Sequence, residues 1–360
     1  MLFQSADLMP KPTNENSTEG PLKKVTIRDV AKQAGVSFKT VSRVFNNETT
    51  VRPMTREKVL SAAEALNFSP NIFARQLSLG RSNTIGLVIF DFPRWSYYAD
   101  VIMGVQRECQ KHGFSVSVYS LTSASKKQLE TLRLAVLSRS LAGLVLTAPW
   151  SSNKRFLAQV DSWGIPIACI LSDNEDSIHP AVFNNDIEGA RVRARHLLSL
   201  GHRRFAIAAG DLHRPFVRAR LQGTLEELNK AGIKSSDIAI LYGDVSFEAG
   251  YELGTEIINQ PNKPTAILAA NDLMAVGIMR RAHEMGVAIP DELSIVGFGD
   301  LQVAGQVWPG LTTVSQDTED MASAAARMLI TEGKQDQTSN PHVYFETELL
   351  IRGSTAKPGR

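Results

Sequence analysis

The stretch from Thr26 to Asn46, TIRDVAKQAGVSFKTVSRVFN, restricts what this chain can fold into more than any other. Val30, Ala31 and Ala34 recur at helical spacing on one face, and Val36, Val41 and Val44 continue the apolar set. Thr26, with Asp29 three residues on, reads as a variant capping box that opens a first helix. Gly35 sits where the chain must turn sharply, and Ser37 is placed to cap a second helix. That second helix carries Phe38, Lys39, Thr40, Ser42 and Arg43 outward. This is the layout of a helix-turn-helix whose second helix enters a DNA major groove. A plain helical hairpin has the same apolar pattern, so the rest of the chain has to decide between them.

Residues 54 to 67 predict a third helix, with Val59, Leu60, Ala63 and Leu66 on the side that closes a three-helix core, and Pro70 stops it. Charge is unevenly spread. Between Gly20 and Arg81 there are eleven Lys/Arg and four Asp/Glu, although the whole chain has a formal net charge of only +2. A basic module joined to a mildly acidic body suits a polyanion-binding head on a separate regulatory domain. Residues 1 to 22 are rich in Pro, Asn, Ser, Thr and Glu and have too little apolar content to fold alone, so they read as a disordered extension.

At 360 residues the chain is too long for one ordinary domain. From Thr84 onward, short apolar runs alternate with amphipathic helices. The runs begin at Thr84, Phe114, Leu141, Ile165, Arg203, Ile238, Thr265 and Leu293. Helical stretches are predicted at 98–112, 126–139, 187–200, 216–231, 247–259 and 272–286. Strands buried on both faces and spaced by helices mean doubly wound parallel sheets, here enough for two α/β lobes. Ligands of such sheets bind at the carboxyl ends of the strands, which places a cleft between the lobes.

Several classes are excluded. No apolar run approaches the roughly 18 residues needed to span a bilayer, and MLFQSADLMP has no secretory pattern. Cys109 and Cys169 lack metal-ligand spacing and fit a reducing cytoplasm. His196 and His202 have no Cys or acidic partner at ligand spacing. There is no phosphate-binding G-x-x-x-x-G-K-[ST], no dinucleotide G-x-G-x-x-G and no G-x-S-x-G, so neither an enzyme nor a cofactor is expected. An exported solute-binding protein would share the two lobes, but the basic head and missing export signal oppose it.

The run VTIRDVAKQAGVSFKTVSRVFNNETTVRPMTREKVLSAAEALNFSPNIFARQLSLGRSNTIGLV resembles the headpiece of the lactose-repressor (LacI/GalR) family of bacterial transcription factors. The AGVS turn, TVSRV, TREKV and NFSPN carry the match, and later motifs extend it over about residues 23 to 355. The resemblance implies an α/β protein with a three-helix helix-turn-helix headpiece and a hinge helix, followed by a periplasmic-binding-protein-like core of two lobes. The expected domains are 23–70 for DNA binding, 71–83 for the hinge helix and linker, and 84–355 for effector binding and dimerisation. The first lobe is expected at 84–182 and 316–336, the second at 183–312 and 340–355. The implied protein is a cytoplasmic, nucleoid-associated regulator, in the usual case a repressor. It would bind a pseudo-palindromic operator as a homodimer and answer to a sugar or sugar acid. No leucine heptads follow at the carboxyl end, which favours a dimer over a tetramer.

The resemblance also implies residue roles. Phe38, Lys39 and Arg43 are expected to read bases, with Thr26, Ser37, Thr40, Ser42, Asn46 and Thr50 on phosphates or helix ends. The hinge NIFARQL, residues 71 to 77, is too short to be stable alone. Paired with its copy in the minor groove, it would wedge Leu77 between base pairs. In the cleft the family pattern points to Tyr97, Tyr98, Asp186, Arg220, Val245 and Asn271, with Asp272 expected to cap the following helix. Two departures stand out. Gly299 and Asp300 occupy G-F-G-D, where sugar-binding members carry an acid at the first of these two positions. Val245 stands where an aromatic often stacks on a sugar. Losing a pocket acid while keeping Arg220 lowers the cost of binding an anion, so a sugar acid or other anionic metabolite stands level with the neutral-sugar alternative. Whether ligand releases DNA or promotes binding stays open.

Overall fold

The structure, a computed structural model, describes residues 25–45, 48–68, 82–90, 96–122, 125–138, 140–170, 178–331 and 342–359. The chain divides into two compact units, Met1–Gly80 and Arg81–Arg360.

The first unit holds α1 (Ile27–Ala34), α2 (Phe38–Phe45) and α3 (Pro53–Ala65). Asp29 Oδ2 accepts from Thr26 N at 2.8 Å and from Thr26 Oγ1 at 2.7 Å, so the capping box forms. Gly35 ends α1 at φ +66°, a left-handed conformation that glycine adopts without a Cβ penalty. Ser37 Oγ accepts from Thr40 N at 3.1 Å and caps α2. Val30, Val41 and Val59 form the centre of a core completed by Ala31, Val44, Ala62 and Ala63. Leu60, expected in that core, is 48% exposed. Positions 59, 62, 63 and 66 make the i, i+3, i+4, i+7 stripe, and Leu60 lies a full residue step, about 100°, off it.

The second unit contains two parallel sheets. The first comprises β1 (Thr84–Ile89), β2 (Ser115–Ser120), β3 (Gly143–Leu146), β4 (Ile167–Ile170), β5 (Ala181–Asn184) and β11 (His342–Phe345), in the order β11-β5-β4-β3-β1-β2. The second comprises β6 (Phe205–Ala208), β7 (Ile238–Leu241), β8 (Ala266–Ala269) and β9 (Ser294–Val296), in the order β7-β6-β8-β9. β10 (Thr313–Val314) pairs antiparallel with β12 (Leu349–Leu350), and isolated bridges from Val296 and Gly299 tie this pair to the second sheet's edge. Both sheets begin 2-1-3-4, and in that topology the crevice opens at the carboxyl ends of the first and third strands.

The helices cover the sheets. α4 (Ser96–Lys111), α5 (Lys126–Leu137), α6 (Lys154–Asp161) and α12 (Thr318–Thr331) belong to the first lobe. α7 (Asp186–Leu200), α8 (Pro215–Lys230), α9 (Phe247–Ile258), α10 (Asp272–Glu284) and α11 (Gln302–Gln306) belong to the second. β1 and β3–β6 are buried along nearly their whole length, as strands covered on both faces must be.

The lobe boundaries differ from the sequence expectation at two places. β11 pairs in parallel with β5, Val343 opposite Val182, so 342–345 completes the first sheet rather than belonging to the second lobe. β5 likewise keeps 183 and 184 in the first sheet. β5 would otherwise present an open edge, and the returning chain covers it. The chain therefore crosses between lobes after Asn184, before Gln316 and after Phe345.

Candidate functional site

Two surfaces gather the polar residues singled out from sequence. On the first unit, α2 buries Val41 and Val44 and leaves the opposite face outward. Phe38 is 61% exposed, an unusual position for a large ring. Lys39 and Arg43 are exposed, Thr40 and Ser42 half-buried, and Thr26 and Thr50 exposed. Ser37 and Thr40 hydroxyls lie 2.9 Å apart. Arg43 Nε approaches Glu48 Oε2 at 3.6 Å with both side chains about half exposed, a weak pair that a phosphate or guanine can displace. Arg56, which sequence reasoning did not single out, donates to Val44 O at 3.2 Å and Glu48 O at 2.8 Å. It thereby satisfies carbonyls at the end of α2 and fixes the helix against α3. Asn46, Leu77, the whole 71–77 segment and residues 1–22 lie outside the described residues.

In the second unit a cleft with about 760 Å³ of empty space, its open mouth included, sits between the lobes. Its lining follows strand ends: Tyr97 and Tyr98 after β1, Ala148 and Pro149 after β3, Arg214 to Phe216 and Arg220 after β6, Asn271 and Leu273 after β8. Phe298, Gly299, Leu301 and Gln316 complete it from the segments after β9 and β10.

Arg220 organises the floor. Its Nε donates to Asp186 Oδ1 at 2.7 Å, both groups being buried, and its Nη1 to Ala270 O at 2.8 Å. Nη2 reaches Gln316 Oε1 at 3.3 Å, so one side chain links both lobes. The guanidinium lies 3.7 Å from the Phe298 ring centre and 4.8 Å from that of Phe216, a cation between two π faces. Behind it Arg193, also buried, donates to Ala269 O and to Thr224 Oγ1. Burial, reinforced by Arg220, pulls the Arg193 pKa down to about 9. Tyr97 has its pKa raised, by burial first and then by Tyr98 and Asp186.

Asn271 is the N-cap of α10, its Oδ1 accepting from Met274 N at 2.9 Å while its Nδ2 donates to Val245 O at 3.0 Å. Asp272, expected to be the cap, does other work. Its carboxylate accepts from Leu301 N at 2.7 Å and Thr313 Oγ1 at 2.5 Å, fastening the loop after β9 to β10. Burial pushes its pKa up to about 6 against those two donors. A Cβ at Gly297 would stand 2.2 Å from that carboxylate, which is why glycine precedes Phe298.

Of the eight cleft residues expected from sequence, Tyr97, Tyr98, Arg220, Asn271 and Gly299 line the cavity. Asp186 lies behind Arg220. Val245 is not in the lining; it is wholly buried in the core of the second lobe and meets the cleft only through its carbonyl bond to Asn271. Asp300 does not turn inward: at φ +50° it pairs with Arg352 Nη2 at 2.6 Å. Gly299 has φ +127°, a backbone unsuited to an acidic side chain. Sequence reasoning missed Arg214, Phe216 and Gln316. Arg214 is the N-cap residue of α8 and Phe216 lies in its first turn, four residues before Arg220, while Gln316 sits where the chain crosses lobes.

Among the described residues, no group of three or more His, Cys, Asp or Glu could hold a metal. Cys109 and Cys169 are buried, and burial pushes both thiols up to about 12. Among the described residues no helix is long and apolar enough to cross a membrane.

Residues 26–71 match the family described as bacterial regulatory proteins, lacI family, and residues 194–355 match the periplasmic binding protein-like domain. The HTH-type transcriptional regulator DegA of Bacillus subtilis (strain 168) is 32% identical over 336 residues, covering 92% of this chain and 98% of DegA. The HTH-type transcriptional repressor PurR of Escherichia coli O139:H28 is 30% identical over 333 residues, covering 92% and 97%. Among solved structures, the lac repressor dimer bound to operator and the anti-inducer ONPF superposes with a TM-score of 0.79 at 29% identity, over 93% of this chain and all of that one. The complex of the regulator CelR with cellobiose gives 0.69 at 28% identity, over 92% and 99%.

Proposed function

This chain is a DNA-binding transcriptional regulator of the lacI family, not an enzyme, and we propose that it represses carbohydrate or related catabolic genes under the control of a small organic acid. Residues 23–70 bind DNA, 71–83 form the hinge and linker, and 84–355 bind effector and dimerise. The operator is pseudo-palindromic because two copies read it about a two-fold axis. The protein works in the cytoplasm at the nucleoid.

Phe38, Lys39 and Arg43 enter the major groove, Arg43 forking onto guanine and Lys39 offering one mobile charge. Thr26, Ser37, Thr40, Ser42, Asn46 and Thr50 position the head on phosphates or secure its helix ends. Leu77 of each hinge wedges into the minor groove, and lobe movement on ligand binding changes the spacing of the two hinges. Exposed Trp308 and Ile351, on segments joined by the 2.9 Å Gly353 N to Gly310 O bond, support a second copy docking on the second lobe.

The observation that carries the effector reading is the cleft's charge. Arg214 and Arg220 line it, their partners Asp244 and Asp186 stand outside the lining, and the described lining residues include no carboxylate, which supports a sugar acid or other anionic metabolite over a neutral sugar. A relative complexed with cellobiose supports a sugar-sized ligand of some kind. A genomic binding map tests the whole: a set of palindromic sites beside catabolic genes is expected, and binding spread without any sequence preference contradicts it.

A further inference from the structure

The cleft's unpaired polar atoms say more about the ligand than its net charge does. The Tyr97 hydroxyl and the Gln316 amide nitrogen are both shut off from solvent with no hydrogen-bond partner. Gln316 Oε1 is committed to Arg220, which fixes the amide's orientation and leaves its N–H₂ as the open group. Arg220 uses three of its five N–H groups, on Asp186, Ala270 and Gln316. The polar end of the cleft therefore has donors to spare. Its amide acceptors are taken, Asn271 Oδ1 by Met274 N and Gln316 Oε1 by Arg220, which leaves the tyrosine hydroxyls as the side-chain acceptors there. Asn184 Oδ1 is also unpaired, but Asn184 does not line the cavity.

A buried donor left unmade is costly, so a ligand that supplies acceptors without bringing donors of its own gains most there. A polyol brings a donor with every hydroxyl and needs acceptors in return. Around the polar end the walls are flat and apolar. Tyr97 and Tyr98 meet edge to face at 5.3 Å, Phe216 and Phe298 flank the guanidinium, and Pro149, Leu273 and Leu301 complete the walls. Such walls reward a planar, hydroxyl-poor body.

We propose that the effector is a flat, ring-bearing organic carboxylate, its anionic end held by Arg220, Gln316 and Tyr97 and its ring between the aromatic walls. This rests on the reading of the cleft as the effector site and narrows its small organic acid to an aromatic one.

Titration calorimetry of the full-length protein tests it, with benzoate, 4-hydroxybenzoate, benzamide, glucuronate, gluconate and cellobiose as probes. An aromatic carboxylate is expected to bind at least tenfold tighter than benzamide, glucuronate or cellobiose. Y97F and Q316L should each weaken it about tenfold while circular dichroism stays native. Tighter binding of glucuronate, gluconate or cellobiose overturns the proposal, as does failure of either aromatic carboxylate to saturate below millimolar concentration. Retention of DNA is read in parallel. A sugar that binds and shifts DNA affinity defeats the aromatic class alone, whereas a protein that binds benzoate but no DNA leaves the class standing and defeats the regulator reading.

Discussion

Asp186 and Arg220 are held together out of water, and breaking such a pair leaves a charge stranded in low dielectric. Asp186→Ala should cost on the order of 3 kcal/mol in urea unfolding, and Arg220 should lose its fixed pose across the cleft. Glu108 is a second buried carboxylate, bonded by Arg327 at 2.7 and 3.2 Å and by Lys111 at 3.3 Å. The Arg327 bond pulls its pKa down from 4.5 to about 2. A carboxylate with a depressed folded pKa stabilises the protein above pH 4.5 and loses that contribution as pH falls towards 2. Glu108→Gln should therefore lower stability at pH 7, by on the order of 2 kcal/mol, and flatten the acid limb between those pH values in a denaturation series. Neither Glu108's burial nor the turn of Asp300 onto Arg352 was legible in sequence, because both depend on partners far along the chain. Arg220 and the two tyrosines were placed by motif alone.

At the scale of elements, α2 presents Lys39 and Arg43 from a helix whose other face is locked by Val41 and Val44. Arg43→Ala should cost about 1–3 kcal/mol of specific binding and relax preference at one base position. Lys39→Ala, which removes one mobile charge and no forked contact, should weaken binding more evenly across sequences and lower the salt slope by about one. Fluorescence anisotropy on matched and mutated operators separates the two. The helix-turn-helix was readable because caps, the Gly35 turn and the valine stripe all agree over a short span. Strands beginning at Thr84, Phe114 and Thr265 were readable because apolar runs there are bounded by helical stretches. β5, whose apolar run is only Ala181 to Phe183, and β11, half-exposed at the sheet edge, carried too little pattern to be seen. Leu60 was misplaced because adjacency to Val59 is not a shared helical face.

At the scale of the whole molecule, two lobes and a basic head were legible from the alternation of elements and from uneven charge. The lobe membership of the returning chain was not, since a parallel pairing between residues 182 and 343 leaves no local trace. Bound ligand alters DNA affinity only through a difference in how well it fits the two states of the protein. The direct test is anisotropy of the purified full-length protein on a site from its genomic map, with and without a ligand shown by calorimetry to fill the cleft. A change in affinity of roughly 5- to 150-fold, in either direction, is expected from coupling of ordinary size. Equal affinity with the cleft full and empty would contradict the account.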